Sequence, residues 1–306
     1  MLKKNKTKQD PVLKDHQLTL EVLRLRYWQL LVNEGLKKKE FKIPIHVALG
    51  HEAIAVAVHH MMKSGDRLVL SHRNMAYNLI REGSLKPVYN EYQLLSTGVA
   101  GGKLGSQNLA NPDAGVVYSS SILGNNLSVA CGLAYGNEVL NRPGLVTVLT
   151  GDGGIEEGPF YEGLVFSKSL QLKMLIIVEN NNQSMSSKIE ERRCPISLSD
   201  MCEAVKIPFR SLSGNDVFEY APALQSIRAL AVEQSTPVLV EAFLTTLNHH
   251  AGPTSGWPTD PKNVSLENGL IVEKSSNDPV FVLQQKIDPF LFSELSEQVL
   301  GEERTG

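Results

Sequence analysis

The chain lacks any apolar run long enough to cross a bilayer. The run around residues 175–178 lies between Lys173 and Glu179, and none approaches the ~18 residues that a membrane span needs. Cysteine is scarce: Cys131, Cys194 and Cys202 show no metal-ligand spacing and make an odd set, so they read as reduced thiols of a cytoplasmic protein rather than a disulfide framework. No charge sign dominates either. A net charge of −3 with 21% charged residues supplies no field for a polyanion, which argues against a nucleic-acid partner. Repeats and low-complexity segments are absent. Residues 1–10 contain lysines but no apolar centre and no arginine, unlike a secretion signal or a transit peptide; residues 1–16 are expected to be a frayed tail. The 42% of hydrophobic residues is ample for a sizeable core.

What is present centres on two short, apolar, β-branched runs at residues 145–150 and 172–178, of the kind buried in parallel sheets. Between them Phe160, Leu164 and Ser167 recur at helical spacing, which predicts a helix over 158–170 and hence a βαβ unit. A right-handed crossover brings Asp152 and Asn181 to the same carboxyl edge of a sheet, where ligands bind. A carboxylate, an amide oxygen and a nearby backbone carbonyl are hard donors suited to Mg2+ or Ca2+, with phosphate oxygens completing the shell. Gly151 and Gly153, on either side of Asp152, let backbone approach a phosphate. A Gly-x-Gly-x-x-Gly dinucleotide loop would need glycine at 156, where the chain has Glu156 beside Glu157, and two carboxylates repel a pyrophosphate that lacks a metal. Taken alone, Gly-Asp-Gly is also a plain turn, and Asn180, Asn181 and Asn182 a cap. Elsewhere, apolar spacing predicts a helix over 17–35 ending near Gly35, and a strand over 237–244.

This pairing of Asp152 with Asn181 resembles the thiamine diphosphate signature. With the segments 43–53, 70–73, 98–106, 122–124 and 248–250, the chain resembles, over roughly residues 20–255, the alpha subunits of the first component of 2-oxo acid dehydrogenase complexes. The resemblance implies a three-layer α/β/α fold with a mostly parallel sheet over 17–255, followed by a loop and a short helical tail over 256–306. It implies Mg2+ held by Asp152, Asn181 and the backbone carbonyl of Gln183. Diphosphate would meet Arg73, His72 in place of the usual Tyr, His250, and the backbone of Gly151, Gly153 and Gly154. Ser121 and Leu123 fall on the turn that shapes the bent cofactor, and His46 and His250 take the places of the catalytic-site histidines.

The glutamate that activates the cofactor has no counterpart. Glu52, Glu156, Glu157 and Glu179 all belong to diphosphate-side motifs and read as turn or cap carboxylates. The resemblance therefore implies a beta subunit carrying the pyrimidine-binding domain, in an α2β2 assembly, and a possible lipoyl carrier protein. Some positions depart from the family: Met75 and Asn108 replace histidines, residues 118–121 replace a Gly-Gly-Asn-Gly run, and the usual Ser-Asp-Pro-Gly after Pro253 is missing. The expected function is decarboxylation of a 2-oxo acid with transfer of the acyl unit. Non-oxidative acyl transfer, acyloin condensation, or a catalytically silent cofactor-binding role stand as alternatives.

Overall fold

Alternation within the strands decides the layers. In the computed structural model, which describes residues 11–253 and 264–302, six strands form one sheet: β1 (Arg67–Ser71), β2 (Val116–Ser120), β3 (Val146–Gly151), β4 (Met174–Asn180), β5 (Phe209–Leu212) and β6 (Val238–Phe243). Leu68, Leu70, Leu149, Leu175, Ile177, Val238 and Val240 face one core. Their neighbours Val69, Val146, Val148, Met174, Ile176, Val178 and Leu239 face a second. Both faces of the central strands are thus covered, as a parallel sheet requires. Every side chain from Met174 to Val178 is fully buried, each stabilising the fold by roughly 1.5–3 kcal/mol before chain entropy is counted.

Helices fill the outer layers. On one face lie α1 (Pro11–Lys37), α2 (Glu52–Met61), α3 (Met75–Glu82) and α4 (Leu85–Tyr92). The other carries α5 (Asn125–Val139) and α6 (Gly158–Ser169). A single-turn helix, α7 (Ile189–Arg192), precedes α8 (Leu198–Val205), which packs on the α6 side; α9 (Val217–Glu233), α10 (Pro279–Lys286) and α11 (Pro289–Leu300) return to the α1 side. None of the described helices is long and apolar enough to cross a membrane.

The strand order is β2-β1-β3-β4-β6-β5, all parallel. The chain leaves β1 for one edge, then returns to its other side for β3, so the topology reverses between β1 and β3 and opens a crevice at their carboxyl ends. The predicted neighbours β3 and β4 pair directly, with Gly151 opposite Glu179.

Some boundaries differ from expectation. Helix α1 runs through Gly35, because that glycine serves packing rather than termination: a Cβ there would lie 2.2 Å from the Tyr89 hydroxyl. The helical tail is two helices, tied to the core by Arg26, whose fully buried guanidinium bridges Glu52 (2.7 Å) and Asp278 (2.9 Å). Of the expected loop after Pro253, residues 254–263 lie outside the described residues, as do 1–10 of the expected tail. Helix α5 buries Leu127, Ala130, Cys131 and Ala134 but leaves Tyr135, Val139 and Leu140 exposed. Beside them Tyr161, Val165, Phe166 and Leu170, on or just past α6, are also exposed.

Candidate active site

The crevice collects side chains from the ends of four strands. After β1 come His72 and Arg73. Arg73 is buried; its Nη1 donates to the Val47 carbonyl (2.6 Å) and its Nη2 to the His250 carbonyl (3.0 Å), with Nη2 also 3.2 Å from His250 Nδ1. Its charge is directed at the pocket rather than spent on a bonded carboxylate. Burial lowers its pKa to about 10, against the favourable fields of Glu179 and Asp152, and it remains a cation fit for an anionic ligand.

Three histidines gather beside it. The rings of His46 and His72 lie 4.8 Å apart, those of His46 and His250 4.9 Å, and those of His72 and His250 5.7 Å. Burial, then the Arg73 charge, depresses all three, to about 2 for His46, 4 for His72 and 3 for His250. They are neutral imidazoles near pH 7. The buried Nδ1 of His46 has no hydrogen-bond partner among the described residues.

Asp152 and Asn181 stand on the next two strand ends. The Asp152 carboxylate is 2% exposed and accepts from Arg192 Nη2 at 2.6 Å. Burial pushes its pKa up even so, which marks a buried anion short of counter-charge. Glycine is required on its far side by close packing: a Cβ on Gly153 would meet Ser184 Oγ, and one on Gly154 would meet Thr150 Oγ1. Asn181 Nδ2 donates to Thr246 Oγ1 (2.7 Å), and its Oδ1 accepts the Gln183 N–H (3.1 Å). That arrangement fixes the amide oxygen, so the donor set fits a hard dication.

His72, Arg73, Leu123, Gly151, Asp152, Gly153, Gly154, Asn181, Gln183 and His250 line one pocket. Two expected residues stand apart from its wall. Ser121 is exposed, its N–H donating to Asn108 Oδ1 (3.2 Å), while Ser120 lines the pocket in its place. His46 lies behind, edge-on to His72 and His250. Leu123 is 40% exposed at the rim, so it serves the pocket and not the core. Met75 is buried at the start of α3.

Sequence reasoning missed a chain of polar groups behind the metal end. Glu179, buried at the end of β4, accepts from Tyr77 Oη (2.7 Å) and pairs with His51 Nδ1 (3.1 Å), while His51 Nε2 meets Thr246 Oγ1 (2.9 Å). A proton on Nδ1 satisfies this chain throughout, with Thr246 donating to His51 and accepting from Asn181. Glu179 is therefore a positioning carboxylate rather than a cap. The available signal was His51 itself, inside the Gly50-His51-Glu52-Ala53 motif. Of the other carboxylates, Glu157 does stand at the N-cap of α6, and Glu52 accepts the Gly50 N–H (2.8 Å) while buried against Arg26; Glu156 instead accepts from Arg192 (2.7 Å) and Arg193 (2.9 Å).

An open parallel sheet, sandwiched by helices and with this pocket at its switch point, is the fold of thiamine diphosphate-binding domains. A transketolase from Campylobacter jejuni aligns with a TM-score of 0.59 at 15% identity, covering 94% of this chain and 48% of that one. One from Pichia stipitis gives 0.58 at 18%, covering 94% and 45%. The dehydrogenase E1 component model matches residues 31–256, and the chain belongs to that family. It is 25% identical over 245 residues to the alpha subunit of acetoin:2,6-dichlorophenolindophenol oxidoreductase from Bacillus subtilis, covering 80% of this chain and 74% of the relative. It is also 25% identical over 273 residues to the mitochondrial pyruvate dehydrogenase E1 subunit alpha of Chaetomium thermophilum, covering 89% and 64%. The chain thus spans less than half of the transketolases, and under two thirds of the second curated relative.

Proposed function

We propose that this chain is the diphosphate- and Mg2+-binding alpha subunit of a two-subunit enzyme that decarboxylates a 2-oxo acid and passes on the acyl unit. One observation carries the reading: a buried acid, a fixed amide oxygen and a guanidinium free of bonded carboxylates converge on the switch-point crevice of a thiamine diphosphate fold. Asp152, Asn181 and the Gln183 carbonyl would hold Mg2+, and Arg73 with His72 and His250 would neutralise the diphosphate. The bound cofactor supplies an electron sink for the pair left when CO2 departs. Neutral His250 lines the pocket and can exchange a proton with a ligand held there, while His46 would act from behind it by positioning the His72 and His250 rings.

The pocket wall holds no carboxylate free to activate the cofactor: Glu179 is committed to Tyr77 and His51, and Asp152 stands at the metal end. A beta subunit supplying that glutamate is therefore part of the proposal, in an α2β2 assembly. The exposed apolar side chains of α5 and α6, together with Ile122 and Leu123 at the pocket rim, support a protein surface that closes the open side. Met75 and Asn108 carry no ionisable group where the family has histidines, so neither exchanges a proton with substrate. The acyl acceptor is a lipoyl carrier protein or a small aldehyde.

The test is calorimetric titration of thiamine diphosphate with Mg2+, alone and with a co-expressed beta-type partner. Binding abolished by Asp152→Ala and tightened by the partner is the expected result. No binding in either preparation would sink the proposal and leave a structural or regulatory role.

A further inference from the structure

Resting on the reading of Asp152 as the metal carboxylate, we propose that Arg192 is the gate of the cation site. Its guanidinium holds the Asp152 carboxylate and must give it up before a divalent cation binds there. Arg192 Nη2 donates to Asp152 Oδ2 at 2.6 Å, its Nε to Glu156 Oε1 at 2.7 Å and its Nη1 to the Ser187 carbonyl at 2.8 Å. A guanidinium here is a monovalent stand-in, satisfying the acid with hydrogen bonds. Mg2+ instead demands bare carboxylate oxygen at about 2.0–2.1 Å, and a positive charge on one oxygen repels a dication approaching the other.

The gate is attached to the site it guards. Residues 182–193 form one excursion that leaves β4 directly after Asn181. It is pinned by reciprocal Ser184–Ser187 backbone bonds (2.9 and 3.0 Å) and by Ile189 N–H donating to Asn182 Oδ1 (3.2 Å). Asn182 and Met185 adopt left-handed backbone, with φ of 54° and 55°. The amide ligand thus stands at the root of the excursion and the guanidinium at its far end. Glu156 already holds Arg192 Nε and remains as an anchor once Asp152 is given up. Arg193 bonds Glu156, at 2.9 Å, and the Cys194 carbonyl, at 3.0 Å, and reaches Asp152 through its charge without a bond, so it is the control for charge alone.

The experiment titrates Mg2+ into the full-length chain in excess thiamine diphosphate, by calorimetry, after circular dichroism has shown the variants folded. Arg192→Gln should tighten Mg2+ by about tenfold, since a bond to a charged acceptor no longer competes, while Arg193→Gln, which removes charge but no bond to Asp152, should shift it severalfold less. In the wild type, amide exchange over 184–193 should quicken on loading. Equal or weaker Mg2+ binding by Arg192→Gln, or exchange that slows on loading, overturns the gate. Asp152→Asn separates the two levels: if it keeps wild-type Mg2+ affinity, the reading of the metal carboxylate fails along with the gate.

Discussion

Replacing Glu91 with glutamine removes one acceptor from a buried carboxylate that organises the glycine-rich segment 98–105. Glu91 is fully buried at the end of α4. Its Oε2 accepts the Ala100 and Gly102 N–H groups (2.9 and 2.7 Å), and its Oε1 those of Leu104 and Gly105 (2.8 and 3.1 Å). Whichever way the new amide turns, its NH2 faces two backbone donors. Each bond to the charged acceptor is worth about 1.5–3 kcal/mol, so losing two costs roughly 3–6 kcal/mol. For a chain of this length that lowers Tm by roughly 6–12 °C. The damage should also reach the pocket. Asn74, next to Arg73, is held by the Ser106 and Gln107 carbonyls (3.0 and 3.2 Å), and Ser106 Oγ donates to the Pro44 carbonyl (2.6 Å), two residues before His46. Urea unfolding followed by circular dichroism measures the first effect, and thiamine diphosphate calorimetry the second. The exposed Glu138→Gln, which loses only a surface pair with Lys173, is the control and should change stability by less than about 0.5 kcal/mol. A Glu91→Gln protein within about 1 kcal/mol of wild type would refute the reasoning.

Acid should weaken the fold through the histidines. In the unfolded chain they titrate near 6.5, but in the folded chain His72 is held down to about 4. As pH falls through that window only the unfolded state gains the proton, so stability is complete above 6.5 and lost below it, by roughly 3 kcal/mol for His72 alone at pH 4. His72→Gln should flatten the fall in denaturation midpoint between pH 6.5 and 4; an unchanged slope would contradict it. Arg26→Ala strands Glu52 and Asp278 in the core, both otherwise paired to it, and should cost about 3–5 kcal/mol in equilibrium unfolding. A loss below about 1 kcal/mol would show that water reaches the acids.

The strands before Asp152 and Asn181 were readable because β3 and β4 are buried on both faces, which leaves short, β-branched and mostly apolar runs. Asp152 and Asn181 were readable for the same reason, since each directly follows a strand, β3 and β4; Arg73 and His250, in the loops beyond β1 and β6, were named through the family resemblance. What escaped were groups defined by long-range partners. Nothing local marks Glu91 as the acceptor for four N–H groups, or His51 as the link from Glu179 to Thr246. Gly35 read as a helix stop because its real constraint, the Tyr89 hydroxyl, lies 54 positions along the chain. Nothing local marks Arg192 either; only the fold lays it on Asp152.

The apolar strip on α5 and α6 also bears on how the molecule must be made. Tyr135, Val139, Leu140, Val165 and Phe166 face solvent in the isolated chain, and sticking of such surfaces rises with concentration. A chain synthesised faster than its partner would accumulate as oligomers or be drawn off by chaperones and proteases. On the proposed pairing with a beta subunit, its yield in a cell should follow the supply of that subunit more closely than its own rate of synthesis.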